Sequence, residues 1–542
     1  MSFKKINIPF KETGLFSKVF TDYVDGAARL KSFYVYPPSA EAFAEVIAKM
    51  KKYAYRNLLP FLLKEYYKRN APGLASDATL ANIQKLEEEH CFTVTTGHQL
   101  CLFTGPLYFI FKIITTINLA EKLNKEYPQN HFVPVYWMAT EDHDFAEINH
   151  ANLFGKMVEW QPQTPNSGQG GGGPVGKIPL ASFASTIESL FAIIGDSENS
   201  KDLKQIISDS YSTEKTLAEA TFSFVNALFG KYGLVILDPD NAALKQIFKP
   251  IITDELLIEN SFKLVTETNK KLVEAGIDPQ VNPREINLFY IDEHGRNRIE
   301  KKDSRWSVVG GHWSVNNEEE LKNVVNTSPE KFSPNVLLRP VYQQNILPNV
   351  AYVGGPSEIA YWLELKSVFE HYKVPFPVLI PRNSALLINK AVAQKMDKLN
   401  LKVEDLFKDA ESLIKEFFNR SMDGVTDFEK ESAELKTIYT ALGKKVQELD
   451  PTLVAFTEAE LQKQLNALKT LETKLLRVKK QKEETSVAQI RKLKETLFPG
   501  GEPQERTDNF IPFYLQQGPA FFDLLKDIFD PFELSMQVFT EE

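Results

Sequence analysis

Cysteine is scarce in this chain, with only Cys91 and Cys101 among 542 residues. Two cysteines cannot build a disulfide framework or a thiolate zinc cluster, so the composition indicates a reducing compartment. No apolar run is long enough to cross a bilayer, and residues 1–20 lack the continuous apolar stretch of a signal peptide. The net charge of −9 argues against a nucleic-acid backbone as the main partner. We therefore expect a cytoplasmic protein that has neither a membrane nor a nucleic acid as its partner.

Glycine is also missing over a long stretch, between Gly443 and Gly500. Pro451 stands where a helix would begin, and residues 429–448 have the pattern of an antiparallel partner helix. Leucines recur there at coiled-coil-like spacing amid Lys, Glu and Gln, at Leu461, Leu465, Leu468 and Leu475. The pattern predicts a helical coiled-coil domain over residues 385–502.

The preceding part of the chain has the pattern of an α/β fold. A buried strand over residues 91–96, a helix over 107–124 and a strand over 132–139 form a βαβ unit, which builds parallel sheets. Further buried strands are predicted at 233–238, 350–353 and 376–380. Short alternating runs within residues 286–313 predict an inserted antiparallel hairpin.

The first candidate site follows the first of these strands. His98 lies beside Gly97 and close to Gly105, between a strand and a helix whose N-terminus offers N–H groups and a positive dipole end to an anion. His98 could hydrogen-bond a phosphate or a carboxylate there, and the glycines would allow close approach of the backbone. The alternative is a tight turn with a surface histidine, and the local pattern does not decide between the two.

Four consecutive ionisable residues follow the strand over 132–139, namely Glu141, Asp142, His143 and Asp144. Ligands of open α/β sheets bind beyond the carboxyl ends of the strands, so this position favours a function. Three carboxylates around an imidazole can bind a divalent metal, hold an ammonium group or take a proton from an attacking amine. The structural alternative is a helix N-terminus, where the dipole stabilises acidic residues.

A third segment combines Arg339 with the Gly-Gly-Pro-Ser-Glu turn of residues 354–358. A strand that ends in such a turn and opens a helix has the geometry of an anion site. Arg339 could clamp a carboxylate or a phosphate in bidentate fashion, and Arg382 closes the next strand in a similar way. Tyr361 and Trp362 could stack on a ring, although aromatic residues in a helix more often belong to the core.

The glycine-rich stretch Gly170–Gly173 lies inside an inserted segment. It resembles a phosphate-binding loop only in its glycines, because it lacks the Lys-Ser/Thr ending of a P-loop. A flexible surface loop is therefore the favoured interpretation.

Together these segments resemble one known family, the bacillithiol biosynthesis cysteine-adding enzymes, which are cysteine ligases. The matching stretches lie in order along nearly the whole chain, at residues 104–108, 112–114, 134–137, 141–144, 147–149, 339–340, 347–348, 355–356, 358–359, 361–362, 364–366, 381–382 and 503–506. The resemblance implies a Rossmann-like α/β core over residues 1–384, with insertions at about 155–230 and 260–330. It also implies a homodimer formed through the coiled coil, and a C-terminal segment, 503–542, that packs back on the body.

The resemblance further implies the family's reaction, which joins cysteine to the amine of glucosaminyl-malate through an activated cysteinyl carboxylate, as the last step to bacillithiol. The residues expected to act in catalysis are His98, Glu141, Asp142, His143 and Asp144. Those expected to bind substrate are Gln99, Thr104, Gly105, Asn149, Arg339, Gln343, Glu358, Tyr361, Trp362 and Arg382. Those expected to bind a cofactor are Gly97, Gly354, Gly355 and Ser357. No structural metal is expected.

ATP with Mg²⁺ is expected only by analogy, because the core is similar to that of class I aminoacyl-tRNA synthetases. Their His-x-Gly-His and Lys-Met-Ser-Lys-Ser signatures are absent, and residues 96–99 are only the positional counterpart of the first. Two other functions stay open. A metal-dependent hydrolase or nucleotidyltransferase would use residues 141–144 as metal ligands, and a non-enzymatic coiled-coil scaffold would keep a degenerate nucleotide-binding core.

Overall fold

The computed structural model describes residues 3–50, 53–162, 172–421, 428–482 and 484–542. The chain forms two compact units, each assembled from segments that are distant in sequence. The core unit comprises Asn7–Ala385 and Gln504–Gln537, and the coil unit comprises Met1–Ile6, Leu386–Pro503 and Val538–Glu542.

Strands and helices are numbered in chain order. The strands are β1 (Phe3–Ile8), β2 (Cys91–His98), β3 (His131–Met138), β4 (His150–Leu153), β5 (Lys156–Glu159), β6 (Val235–Leu237), β7 (Leu288–Asp292), β8 (Gly295–Lys302), β9 (Arg305–Val308), β10 (Ser314–Val315), β11 (Phe332–Pro334), β12 (Asn349–Gly354), β13 (Val378–Pro381), β14 (Ser384–Ile388) and β15 (Met536–Glu541). The helices up to residue 274 are α1 (Phe10–Thr13), α2 (Lys18–Val24), α3 (Ala42–Met50), α4 (Leu58–Asn70), α5 (Asp77–Lys85), α6 (Leu107–Glu126), α7 (Phe145–Ile148), α8 (Ala184–Ile194), α9 (Glu198–Ser210), α10 (Leu217–Phe229), α11 (Ala242–Ile258) and α12 (Asn260–Glu274). The later helices are α13 (Glu318–Thr327), α14 (Arg339–Ile346), α15 (Pro356–Trp362), α16 (Lys366–His371), α17 (Lys390–Lys398), α18 (Ala410–Ser421), α19 (Glu429–Leu449), α20 (Val454–Lys482), α21 (Glu484–Leu497), α22 (Gln504–Thr507), α23 (Ile511–Gln517) and α24 (Ala520–Ile528).

A parallel sheet lies at the centre of the core unit, with strand order β13-β12-β2-β3-β6. From β2 the chain adds β3 and then β6 on one side, whereas β12 and β13 lie on the other side. The strand order therefore reverses between β2 and β12, and such a switch point is where open α/β sheets bind their ligands. The predicted βαβ unit is confirmed as β2, α6 and β3.

Helix α6 is buried on most of its surface, because it packs on β2 and β3 and also contacts α22 and α24. Its isoleucines, from Ile110 to Ile117, are buried, as the apolar pattern predicts. The predicted helix over residues 107–124 is confirmed, and it continues to Glu126. One charged residue, Lys112, lies within this apolar layer with 3% of its surface exposed.

The core unit also contains an antiparallel sheet of order β10-β9-β8-β7-β11. The hairpin predicted within residues 286–313 is confirmed as β7, β8 and β9. Trp306 anchors it, because the indole is buried and its N–H donates to the carbonyl of Leu256 at 2.8 Å. Strand β8 carries Arg296, which becomes important at the site.

In the coil unit, α19 packs along α20. The partner helix predicted at residues 429–448 is confirmed as α19, and the predicted helical stretch after Pro451 is observed as α20 and α21, on either side of residue 483. Strands β1, β15 and β14 form a three-stranded sheet. Among the residues that the structure describes, no helix is both long enough and apolar enough to cross a membrane.

Glu364, just after α15, is hydrogen-bonded to the loop at residues 280–281. Its Oε1 accepts hydrogen bonds from the amides of Gln280, at 2.6 Å, and Val281, at 3.2 Å. Burial raises the pKa of this carboxyl to about 7 from an ordinary value of 4.5. The folded state therefore binds this proton more tightly than the unfolded chain, and the stability that the group contributes at low pH is lost as the pH rises through 7.

Glu364→Gln should remove this pH dependence. The amide oxygen of glutamine accepts the same two hydrogen bonds, and it carries no charge that burial would penalise. Between pH 5 and pH 8 the wild type should lose about 2 to 3 kcal/mol of unfolding free energy that the variant retains, as measured by urea unfolding. Exposed Glu370→Gln should follow the wild type. If the unfolding free energies of wild type and Glu364→Gln changed with pH in the same way, the raised pKa would not belong to Glu364.

Candidate functional site

The three candidate segments lie at one edge of the central sheet, because its strands are parallel. β2 and β3 end in register, with His98 opposite Met138, and β12 and β13 end with Gly354 opposite Pro381. The turns that follow these strands, at residues 97–99, 139–144 and 354–358, therefore share the carboxyl edge of the sheet.

A buried ion pair lies at the switch point between β2 and β12. The Lys112 ammonium donates to Glu358 Oε2 and to the carbonyl of Gly97, each at 2.5 Å. Glu358 also accepts from the Tyr352 hydroxyl at 2.6 Å and from the Gly355 amide at 2.8 Å. Burial alone would raise the pKa of Glu358, but these partners lower it, so the carboxylate is charged. Glu358 thus already occupies the Gly355 amide that the sequence pattern offers to an external anion.

Arg339, at the start of α14, is held by neutral groups. Its Nη1 donates to Gln343 Oε1 at 3.0 Å, and its Nη2 lies 3.5 Å from the Tyr352 hydroxyl and 3.4 Å from that of Tyr361. None of the described carboxylates lies within 4 Å of the guanidinium nitrogens. Gly97 permits this approach, because a Cβ there would lie 3.3 Å from Arg339 Nη1. The charge of Arg339 is therefore available to an anionic ligand.

Arg382 differs from Arg339, because its charge is neutralised within the protein. Its Nη2 donates to Glu505 Oε1 at 2.8 Å, and its Nη1 donates to Ser384 Oγ at 3.1 Å. Both members of the ion pair are buried, with Arg382 at 4% and Glu505 at 1% exposure. Arg382 thus ties α22 to the end of β13, and only its Nε lacks a hydrogen-bond partner among the described residues.

His98 packs against the rings of Tyr108 and Phe109 at the end of β2. Its Nδ1 lies 3.0 Å from the carbonyl oxygen of Gln99. Because a carbonyl only accepts, Nδ1 carries the proton and Nε2 keeps a lone pair. Burial and the nearby charge of Lys112 lower the pKa of His98 to about 3. His98 is therefore neutral at physiological pH and can accept a hydrogen bond through Nε2, whereas donation to a phosphate does not fit this tautomer.

The four ionisable residues after β3 turn to separate partners. The contacts are Lys245 Nζ to Glu141 Oε1 at 2.5 Å, Gln99 Nε2 to Asp142 Oδ2 at 2.8 Å, Arg296 Nη1 to His143 Nδ1 at 2.9 Å, and the Glu147 amide to Asp144 Oδ1 at 3.3 Å. Within the described ranges, no three His, Cys, Asp or Glu side chains are grouped so that they could hold a metal ion. The geometry gives no support to a shared metal-ligand role for this run.

Glu141 and Asp142 are neighbours with opposite pKa shifts. Burial raises the pKa of Glu141, against the effect of the Lys245 ammonium. Burial also works to raise the pKa of Asp142, but hydrogen bonds from the His143 backbone amide and the Gln99 side chain, together with the charge of Arg296, lower it below its ordinary value. Carboxyl groups whose pKa values are pushed apart in this way suit different roles, one as a proton acceptor and one as a permanent anion.

The end of the glycine-rich loop lies against this acidic run. The Val175 amide donates to the carbonyl of Asp142 at 2.7 Å, and the Gly176 amide donates to that of Thr140 at 3.0 Å. Gly176 is required here, because a Cβ would lie 2.9 Å from Thr140 atoms. Gly172 accepts from the Arg296 amide at 3.4 Å, whereas Gly170 and Gly171 lie outside the described residues.

Three other predicted residues around this edge, Thr104, Gly105 and Asn149, differ in their hydrogen bonding. Thr104 is buried with a positive φ of 71°, and its hydroxyl has no partner among the described residues. The carbonyl of Gly105 accepts from Asn509 Nδ2 at 2.6 Å. Asn149 donates to Glu159 on the β4–β5 hairpin at 3.2 Å.

Two residues of α15 differ in their accessibility. Trp362 is fully buried and stacks on Tyr352, with ring centroids 4.5 Å apart, so it belongs to the core. Ser357, in contrast, is exposed. The first amides of α15 and α6 are not fully open to a ligand. At α15 the Gly355 amide donates to Glu358, and at α6 the Leu107 amide donates to the carbonyl of Asp508 at 2.7 Å.

Several residues of the site are absent from the list that the sequence pattern gives: Lys112, Lys245, Arg296, Tyr352 and Glu505. Lys112 carries a readable signal, because a single lysine within an apolar helix face must find a buried partner. Lys245 and Arg296 lie in ordinary mixed sequence and come to the site only through the folding of α11 and β8. No local pattern indicates them.

The charges at the switch point fit one anionic group. Lys112 is neutralised by Glu358, and Arg382 is neutralised by Glu505, which leaves the Arg339 guanidinium for a ligand. The same guanidinium could meet a phosphate of a nucleotide as well as a carboxylate.

Comparison with known proteins gives matches over the full length. A family model described as "Bacillithiol biosynthesis BshC, N-terminal Rossmann-like domain" matches residues 1–383, and one described as "Bacillithiol biosynthesis BshC, C-terminal coiled-coil domain" matches residues 385–541. A protein of Flavobacterium psychrophilum named "Putative cysteine ligase BshC" is 42% identical over 98% of each chain. Proteins with the same name from Flavobacterium johnsoniae and Cytophaga hutchinsonii are 40% and 35% identical, over at least 98% of each chain.

Proposed function

Because this chain belongs to the bacillithiol biosynthesis BshC family, we propose that it is a cysteine ligase that joins L-cysteine to the amine of glucosaminyl-malate, completing bacillithiol. The observation that carries the proposal is an arrangement of opposite charges. The Arg339 guanidinium, which has no ion-pair partner among the described residues, lies beside Gly97 at one end of the site, and Gln99 bonds Asp142 and Glu147 at the other. Substrates that bear both carboxylates and amines complement such a site.

Arg339 binds a carboxylate of the malyl group in this account. A guanidinium presents two parallel N–H groups to a carboxylate, and it keeps its charge at every physiological pH. Arg382 is a structural residue instead, because its charge is already paired with Glu505. Gln343 and Tyr361 hold the Arg339 side chain in place.

The acidic run binds and deprotonates the amine. Asp142 is the permanent anion that holds an ammonium group, together with Glu147, which shares the Gln99 amide with it. Glu141 is the proton acceptor, because its raised pKa brings it closer to the working pH that a general base requires. The ammonium first loses one proton to solvent. The amine nitrogen then bonds to the carboxyl carbon of cysteine, the bond from that carbon to its leaving group breaks, and the proton that the nitrogen still has to lose passes to Glu141.

The carboxyl of cysteine must be activated before this attack. ATP with Mg²⁺ is the activator that we propose by analogy with class I synthetases, and when bound it would supply the leaving group. We also propose that the protein is a cytoplasmic homodimer. Apolar side chains exposed on the coil unit support the dimer, among them Ile438, Leu442, Leu449, Leu453 and Phe456.

A cellular experiment tests the proposed function. Deletion of the gene from its own host should abolish the cysteinylated thiol and cause glucosaminyl-malate to accumulate, as measured by mass spectrometry of extracts. The wild-type gene should restore the thiol, whereas the Arg339→Met gene, expressed to the same level, should not. An unchanged thiol pool in the deletion strain would refute the proposal.

A further inference from the structure

Arg296 is a buried arginine whose side chain joins the inserted hairpin to the acidic run. It lies on β8 with 9% of its surface exposed. Its Nε donates to Ser333 Oγ at 3.0 Å, its Nη2 donates to the carbonyl of Pro334 at 2.9 Å, and the guanidinium lies over the Phe289 ring, 3.9 Å from the centroid. The remaining nitrogen, Nη1, donates to His143 Nδ1 at 2.9 Å.

This contact determines where the proton of His143 lies. A guanidinium has five N–H donors and no acceptor, so His143 Nδ1 must be the acceptor in the pair. The proton of the neutral ring is therefore on Nε2. The other groups that face the ring are the Asp142 carboxylate, 3.6 Å away, and the Phe289 ring. The His143 side chain is 41% exposed, so a ligand can reach the ring.

We propose that Arg296 is a positioning residue that fixes His143 as a hydrogen-bond donor through Nε2, so that His143 stabilises the oxygen that becomes negative during amide formation. This inference rests on the proposed function. It assigns His143 to the oxyanion and leaves the removal of the amine proton to Glu141. A donor held in place before the reaction stabilises developing charge without reorganisation. His98 has the opposite tautomer, with its Nδ1–H donated to the Gln99 carbonyl, so the two histidines of the site are not interchangeable.

Rescue by glutamine distinguishes a donor from a base. His143→Gln keeps an N–H donor and cannot take a proton, whereas His143→Ala keeps neither property. We expect His143→Ala to lower kcat by about 10²- to 10³-fold, with KM for glucosaminyl-malate changed by less than about threefold. His143→Gln should recover at least about tenfold of that loss. If His143 were the base, the two variants would be equally inactive, and that result would overturn the proposal.

A double-mutant cycle tests the role of Arg296. Arg296→Met should lower kcat by about 10²-fold in the wild-type background, because His143 is released, but by only a few-fold in the His143→Gln background, because glutamine has no tautomer to fix. Exposed Arg298→Met, on the same strand, should change neither background. Equal losses from Arg296→Met in both backgrounds would show a purely structural role.

A spectroscopic measurement on the wild type does not depend on activity or on the folding of a variant. The chain has eight histidines, so ring ¹⁵N signals of ¹⁵N-histidine-labelled protein can be assigned to His143 by comparison with His143→Gln. We expect a protonated Nε2 and a hydrogen-bonded, unprotonated Nδ1 at pH 7. A proton on Nδ1 would refute the proposal even if the ligase activity is present. If the expected tautomer is observed but no ligase product is formed, the proposed function is refuted instead.

Discussion

Replacing Arg339 with methionine should lower kcat/KM for glucosaminyl-malate by about 10²- to 10³-fold, mostly through a higher KM. The expected size is that of removing one partner of a desolvated, hydrogen-bonded charge pair, which costs about 2 to 5 kcal/mol. The protein itself should remain folded, because Arg339 bonds neutral groups, namely Gln343, Tyr352 and Tyr361. Steady-state kinetics with glucosaminyl-malate as the varied substrate provide the measurement.

Two controls make the Arg339 result specific. Arg339→Lys keeps the charge but loses the bidentate geometry, so its kcat/KM for glucosaminyl-malate should lie between those of wild type and Arg339→Met. Exposed Arg284→Met should leave the kinetics unchanged. A free glucosamine acceptor that lacks the malyl group should react equally poorly with wild type and Arg339→Met. If Arg339→Met instead lowered activity toward both acceptors by the same factor, the malyl carboxylate would not be its ligand.

Lys112→Met should destabilise the protein by about 2 to 3 kcal/mol, less than the usual cost of leaving a fully buried charge without its partner, because the Glu358 side chain is 25% exposed. The Lys112 side chain is 4% exposed in its ion pair with Glu358. Methionine fills the space of the lysine stem, but among the described residues Glu358 then keeps only the Tyr352 hydroxyl and the Gly355 amide as donors. Chemical denaturation measures the loss.

The same helix supplies the control for Lys112. Lys122 pairs with Asp530, and the two side chains are 35% and 51% exposed, so Lys122→Met should cost no more than about 1 kcal/mol. The double variant Lys112→Met/Glu358→Gln should regain a large part of the lost stability, because no uncompensated charge remains. Equal losses for Lys112→Met and Lys122→Met would contradict the assignment of a buried ion pair at the switch point.

The fold follows from local pattern to a large extent. The apolar strand that ends at Met138, the amphipathic spacing in α6 and the glycine-free stretch after Gly443 each predict an element that is observed. Periodicity succeeds here because these elements bury continuous apolar faces against a sheet or a partner helix. The strand order is less accessible, because the pairing of β2 with β12 joins residues that are more than 250 positions apart.

The candidate site is only partly visible in the sequence. His98 and Glu141 are predicted because they follow strands of the parallel sheet, whose carboxyl ends lie at one edge, whereas Arg339 begins α14, ahead of β12. Their partners Lys245, Arg296 and Glu505 come from a helix, a hairpin and the C-terminal segment, and no spacing rule connects them. Hydrogen-bond direction is also hidden in the sequence. The His98 tautomer, for example, is set by the Gln99 carbonyl, a contact that the sequence does not show.

Product formation by the purified protein tests the central claim most directly. The protein is incubated with L-cysteine and glucosaminyl-malate, with and without ATP and Mg²⁺, and the products are identified by mass spectrometry. The account predicts a conjugate with the summed mass of the two substrates less one water, formed by the wild type and reduced at least about 100-fold in Arg339→Met. Dependence on ATP would support the proposed activator, and product without ATP would keep the ligase and exclude that activator. No conjugate under any condition, from folded wild-type protein, would contradict the account.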